Sequence, residues 1–156
     1  MVGRRPKATF IRIAVLVVAC WVTFTFILLP IRIVGISMEP TCHDRAVHCV
    51  NCLAYRRHEP QRGDIVSIAL AGHSEMYLKR IIALPGETLA FHGGRAFING
   101  EPLDEPYVKF SCDWEHEPIV CGPDQYYVVG DNRSMPFTDH TQGRAERSHI
   151  VGKLFL

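Results

Sequence analysis

Residues 13–29, IAVLVVACWVTFTFILL, form an unbroken apolar run with no charge. As a helix rising about 1.5 Å per residue the run spans about 26 Å, close to the hydrocarbon thickness of a bilayer. It predicts one membrane-spanning helix over residues 13–30, ended by Pro30. Thr23 and Thr25 do not oppose insertion, because their hydroxyls bond back to helix carbonyls. Beyond Pro30 the pattern changes to short β-branched runs. Residues 31–36 read as a strand, 46–53 as a second, and 65–70, behind the turn residues Arg62-Gly63-Asp64, as a third. In residues 76–83 a period of two puts Tyr77, Lys79, Ile81 and Ala83 on one face and Met76, Leu78, Arg80 and Ile82 on the other. Lys79 thus stands among apolar neighbours, and Pro85-Gly86 ends the strand.

Residues 89–92 and 95–99 flank Gly93-Gly94, a hairpin signal, and Asn99-Gly100 marks another tight turn, so a small β subdomain is expected over about 88–124. Residues 104–125 are polar and irregular and read as a loop or an extended excursion. Strands follow at 126–129, leading into Gly130-Asp131-Asn132, and at 150–156. No useful helical period appears outside the apolar run. The expected organisation is a basic N-terminus over 1–12, an anchor over 13–30 and one mainly β domain over 31–156.

Composition bounds the function. The 156 residues are 47% hydrophobic and 21% charged with a net charge of +1, which points to no polyanionic partner and argues against nucleic-acid binding. Without the apolar run about 125 residues remain, enough for one modest core. Arg4, Arg5, Lys7 and Arg12 precede the run, whereas Arg32 alone follows it before Glu39 and Asp44. That asymmetry places the N-terminus in the cytoplasm and the β domain outside, on the inner or plasma membrane with the lipid bilayer as partner. A cleaved secretory signal fits less well, since the apolar core exceeds the usual length of about 7 to 15 residues and no small-x-small site precedes Pro30.

Ser37 leaves the predicted strand of residues 31–36 within about 30 Å of the end of the apolar run, even for a fully extended chain. A serine nucleophile needs a base, either a histidine held by a carboxylate or a lysine whose amine is neutral. The eight histidines form no HExxH or triad signature, and Gly35-Ile36-Ser37-Met38-Glu39 lacks the second glycine of a nucleophile elbow. Lys79 fits the second case: an ammonium drawn into an apolar face loses hydration and its pKa falls. Ile36 and Met38 are candidate pocket neighbours of Ser37, Asp131 is a turn-bracing residue, and Trp114 and Phe110 are candidates to dip into lipid. Six cysteines are present. Cys20 lies in the anchor, and a bridge from Cys112 to Cys121 is expected to close the polar excursion in an oxidising compartment. Cys49 and Cys52, with His43, His48 and His58, give no metal-ligand spacing, so neither a metal nor another cofactor is expected.

Four ordered segments bear a resemblance. Ser37-Met38-Glu39-Pro40-Thr41, Arg62-Gly63-Asp64-Ile65-Val66, the run Tyr77-Leu78-Lys79-Arg80 through Gly86-Glu87, and Gly130-Asp131-Asn132-Arg133 resemble the successive boxes of type I signal peptidases, as do residues 97–107 and 150–153. The resemblance implies a signal-peptidase-like β-sheet catalytic domain behind one N-terminal transmembrane helix. It implies a hydrolase, a serine protease of protein secretion, in which Ser37 is nucleophile and Lys79 general base. The partners it implies are the signal peptides of translocated preproteins, cut after small residues. Some members carry a hydroxyl two residues before the nucleophile, where this chain has Gly35, so a second oxyanion donor would come from backbone or elsewhere. Members also continue past the last box to a serine that places the lysine and an acid paired with arginine. Here Ser134 or Thr138 would supply the hydroxyl, and Asp139 the acid with a shift of one residue. A pilus- or conjugation-type processing peptidase shares this chemistry, as does a self-cleaving repressor, which the anchor disfavours. A non-enzymatic, membrane-tethered β module binding partners or metal is the remaining alternative.

Overall fold

The computed structural model describes residues 6–69, 76–140 and 143–155, with the side chains of Pro6, Asp139 and His140 outside the described set. It is mainly β, with two sheets behind one N-terminal helix, as the pattern predicts. Helix α1 (Pro6–Val22) runs into a single π-helical turn, Thr23–Ile27. The segment Lys7–Ile27 has a mean hydropathy of 2.3, none of it buried, and is long and apolar enough to cross a membrane.

The helix does not wait for Pro30. Leu28 is already extended at φ −122°, ψ 96°, and Leu28–Arg32 forms strand β1, paired from Leu28↔Asn51 to Arg32↔Val47 with β2 (Val47–Asn51). Strand β1 is at the sheet edge, where proline's missing N–H breaks no ladder bond. The strand expected at 31–36 therefore lies earlier, and residues 33–37 form the loop and turn that carry Ser37.

Strands β3 (Ile65–Ala69) and β4 (Met76–Ala83) follow. The chain then builds β5 (Thr88–His92), β6 (Arg95–Ile98), β7 (Glu101–Pro102) and β8 (His116–Val120). It closes with β9 (Gln125–Val129), β10 (Arg144–Glu146) and β11 (Ile150–Phe155). The main sheet has the order β1-β2-β11-β3-β4-β9-β10 and the small one β7-β6-β5-β8. Buried Asp64 ties β3 to β11, accepting from Tyr55 Oη at 2.9 Å and pairing with Lys153 Nζ at 2.6 Å.

Strand β4 is buried on both faces. Leu78 packs with Ile33, Met38, Ile65 and Leu154, whereas Ile81 packs on the other side with Val66, Ile68 and Val128. An irregularity between Ile81 and Ala83 breaks the period of two, so Ile82 and Ala83 both enter the core shared with Leu89, Phe91 and Trp114.

The polar excursion holds a strand, and two readings of its residues are corrected. Residues 104–125 hold strand β8, whose sequence HEPIV buries only Ile119 and therefore shows no apolar run. The Cys112–Cys121 bridge is not formed. Cys112 Sγ lies 3.3 Å from Gly94 O, while the Cys121 backbone pairs with Glu87 and Gly86. These partners stand at opposite ends of β5, roughly 20 Å apart by strand rise, far beyond disulfide reach. Trp114 is also no lipid-dipping residue: it is 4% exposed, in the core against Phe91.

Gly152 marks the closest backbone approach in the main sheet. A Cβ there would meet Asn51 O at 2.4 Å, so Gly152→Ala must push β11 from β2. A loss of about 1–3 kcal/mol is expected, read as a lower thermal midpoint of the detergent-solubilised chain. An unchanged midpoint would contradict this packing.

Candidate active site

Lys79 and Arg80 are adjacent on β4 and so leave the sheet on opposite faces. Arg80 forms a two-pronged ion pair with Asp131, Nε to Oδ1 at 2.8 Å and Nη2 to Oδ2 at 2.6 Å. Its Nη1 donates to Gly63 O at 2.7 Å, and its guanidinium lies 4.0 Å from the centre of the Tyr107 ring. Asp131 is fully buried and takes a further bond, from Thr41 Oγ1 at 2.5 Å. Asp131 thus ties β4 to the Ser37 turn.

The next residue docks the serine. Asn132 N–H donates to Ser37 O at 3.0 Å, and its Nδ2 donates to Ile36 O at 3.1 Å. Since Val129 pairs with Arg80, the chain leaves β9 on the Lys79 side of that pair. Ser37 and Lys79 therefore flank one segment, residues 130–132. Among the described residues no hydrogen bond joins them, and Lys79 has no ion-pair partner.

Lys79 is 8% exposed. Burial is the main cause that lowers its pKa from 10.5 to about 8, against the Asp131 charge, which raises it. The physical origin is lost hydration of the ammonium.

Ser37 opens on a cleft of about 370 Å³ walled by Ile33, Gly35, Met38, Ser67, Met76 and Leu78. Met38 is in its wall. Ile36 is not: it is 50% exposed and contributes its carbonyl to the Asn132 contact. Gly35 has φ +105°, a conformation that disfavours side chains, and its N–H donates to Asp44 Oδ1 at 2.8 Å. Ser134 is exposed and donates its hydroxyl to Asn132 Oδ1 at 2.6 Å, so it steadies Asn132 and not Lys79. Thr138 is exposed on a 3₁₀ turn, Phe137–His140; the Asp139 side chain lies outside the described residues.

Sequence reasoning gave no role to Thr41, Asn132 or Glu105. Thr41 and Asn132 stand inside motifs it quoted, but a side-chain tether between segments 90 residues apart leaves no local signal. Glu105 forms a buried, two-pronged pair with Arg133, whose Nε also holds Gly130 O at 3.0 Å. Cys42 is buried beside this network, and burial raises its thiol pKa, which leaves it unreactive. No cluster of three or more His, Cys, Asp or Glu that could hold a metal occurs among the described residues.

Comparisons with known proteins bear on this geometry. The profile of a family described as signal peptidase, peptidase S26, matches residues 7–156. A probable signal peptidase I-2 of Synechocystis is 34% identical over 77% of this chain, and a signal peptidase I of Leptolyngbya laminosa 37% identical over 75%. The chain spans only 58% and 62% of the lengths of those two proteins. A signal peptidase IB of Staphylococcus aureus is 28% identical over 92% of the chain and 84% of its own length. A crystal structure of a signal peptidase I from Enterococcus faecalis superposes with a TM-score of 0.51 at 25% identity, covering 62% of this chain and 97% of that one.

Because the Lys79 amine has a lower pKa folded than unfolded, the unfolded chain binds more protons between about pH 8 and 10.5, and stability rises with pH across that window. Below it the buried ammonium costs the fold on the order of 3 kcal/mol. Lys79→Met is therefore expected to unfold at a higher temperature than wild type at pH 7, by a margin that shrinks towards pH 10.5. An equal margin at both ends of the window would contradict the burial of an unpaired amine.

Proposed function

The chain belongs to the signal peptidase family, peptidase S26, and we propose that it is a membrane-anchored serine endopeptidase that removes signal peptides from secreted precursors. The observation that carries the reading is the buried Lys79, without an ion-pair partner among the described residues, on the strand that walls the Ser37 cleft. A neutral amine in that position is the base a serine nucleophile needs.

In the proposed cycle Lys79 Nζ takes the Ser37 proton as Oγ attacks the scissile carbonyl. The Ser37 N–H stabilises the oxyanion. Collapse of the tetrahedral intermediate expels the new amino terminus, which takes its proton from Lys79, and leaves an acyl ester on Ser37. The neutral amine then deprotonates a water that hydrolyses the ester and restores the serine. The Gly35 N–H is engaged by Asp44, so the second oxyanion donor is not that group. The cleft wall of Ile33, Met38 and Leu78 leaves room for small side chains next to Ser37. The basic residues before the apolar helix keep the N-terminus cytoplasmic and the β domain on the far side of the membrane.

Ser37→Ala and Lys79→Met are each expected to lower cleavage of a secretory precursor by roughly 10³-fold or more. Since only the neutral amine accepts a proton, kcat/KM of wild type should rise with pH through a midpoint near 8. Cleavage retained in either variant would sink the mechanism, and a rate independent of pH from 6 to 9 would remove Lys79 as the base.

A further inference from the structure

The Ser37 N–H belongs to the same peptide unit as the Ile36 carbonyl. That unit is planar and trans, so its N–H and C=O point in opposite directions. Whatever holds Ile36 O therefore aims the Ser37 N–H. Two donors hold it: Glu39 N–H at 3.1 Å, which closes the turn, and Asn132 Nδ2 at 3.1 Å, from a segment 96 residues further along the chain. With both of its lone pairs filled, the carbonyl has no reason to swing away. Ser37 N–H itself meets no acceptor among the described residues. Asn132 is 4% exposed and is not part of the cleft wall, whereas Ser37 and Met38 are. It grips the turn from behind, and the N–H points away from it.

A side-chain amide can present either its oxygen or its nitrogen to a neighbour. Here Ser134 decides, because its backbone N–H at 3.3 Å and its hydroxyl at 2.6 Å both meet Asn132 Oδ1. A backbone N–H only donates, so the amide oxygen faces Ser134 and the nitrogen faces Ile36 O. The Asn132 backbone N–H donates to Ser37 O at 3.0 Å and so fixes the following peptide unit as well. The Cα that carries the nucleophile is held between two fixed planes, both gripped by one residue. A carbonyl that accepts a hydrogen bond also polarises its own peptide unit, which makes the opposite N–H a stronger donor.

We infer that Asn132 is a positioning residue for the reaction: its side-chain amide, set by Ser134, aims and polarises the Ser37 N–H as oxyanion donor. The inference rests on the peptidase reading. Full negative charge on the carbonyl oxygen exists in the transition state and not in the bound substrate, so loss of aim lowers kcat and leaves KM within about twofold. Asn132 carries no charge, so the midpoint of the pH profile, which belongs to Lys79, stays near 8 when the amide is removed.

The test uses the full chain in detergent and two synthetic substrates: a peptide that spans the cut of a secretory precursor, and the same peptide with a thioamide at the cleaved bond. Sulfur is a weak acceptor, so the ratio of the two rates reads the oxyanion donor. A fault in the base, or a fraction of unfolded chain, slows both substrates alike and leaves the ratio unchanged. Asn132→Ala is expected to lower kcat for the oxygen substrate by roughly 10- to 100-fold, and to shrink the oxygen-to-sulfur ratio by roughly tenfold or more. Ser134→Ala removes an exposed hydroxyl and is expected to shrink the ratio about threefold. It should add nothing in the Asn132→Ala background, because Ser134 acts through that amide. Should Asn132→Ala fail to fold, Ser134→Ala decides alone. A ratio that keeps its wild-type value in the deciding variant overturns the role of Asn132 and leaves the peptidase reading in place. Failure of wild type to cleave the oxygen substrate overturns that reading and the inference with it.

Discussion

The ion pair between Arg80 and Asp131 is the contact on which the site depends. Both charges are out of water, and Asp131 is fully buried. Such a pair offsets its desolvation only when the geometry is two-pronged and the remaining lone pairs are filled. Here Arg80 supplies two donors and Thr41 a third. The bond from Thr41 lashes the Ser37 turn to the end of β9, and Arg80 lashes both to β4, one residue from Lys79. The same pair also bears on the lysine, whose pKa burial lowers. With its charge met by Arg80 and Thr41, Asp131 opposes the fall in the Lys79 pKa without cancelling it. An unpaired carboxylate at that position would hold the amine as an ammonium.

A second buried pair closes the arrangement and explains the small sheet. Tyr107 stacks on Arg80 and donates its hydroxyl to Glu105 Oε1 at 2.8 Å; Glu105 pairs with Arg133, and Arg133 holds Gly130 O. The loop returns to the residue beside Asp131. Arg133 also lies 5.6 Å from the Trp114 ring and 5.9 Å from that of Phe91, so the aromatic core under the small sheet carries the cation. Strand β5 and the segment between β7 and β8 thereby supply the aromatic floor and the acid that fix the turn after β9.

What the sequence revealed follows from what is local. The period of two in residues 76–83 marked the bounds of β4, because most of its positions repeat one backbone geometry before the irregularity at Ile81 to Ala83. The Gly93-Gly94 hairpin was legible for the same reason. Strand β8 was not, since an edge strand that buries one side chain has no pattern to read. The three-residue β10 is too short for one. The Cys112–Cys121 bridge failed because nearness in sequence was taken for nearness in space, whereas β8 carries the chain along the whole of β5 between them. Ser37 and Lys79 were singled out in the sequence by the motifs that hold them. The partners that hold them were not, because Thr41, Asn132 and Glu105 act across 28 to 96 residues of chain.

The junction of helix and sheet carries a consequence for where such a site can act. Had Pro30 ended a helix and opened a linker, the height of Ser37 above the bilayer would vary with that linker. Instead the π-helical turn passes directly into β1, and Cys52 N–H donates to Ile27 O at 2.9 Å, which extends the sheet pairing to the turn. Strand β1 then rises about 16 Å over its five residues, and the Ser37 turn is bound to β9 at its far end. The distance from the end of α1 to Ser37 is therefore a property of the sheet, with rigid pairing in place of chain entropy. The height of Ser37 above the end of α1 is thus set by strand pairing, before any pocket comes into play.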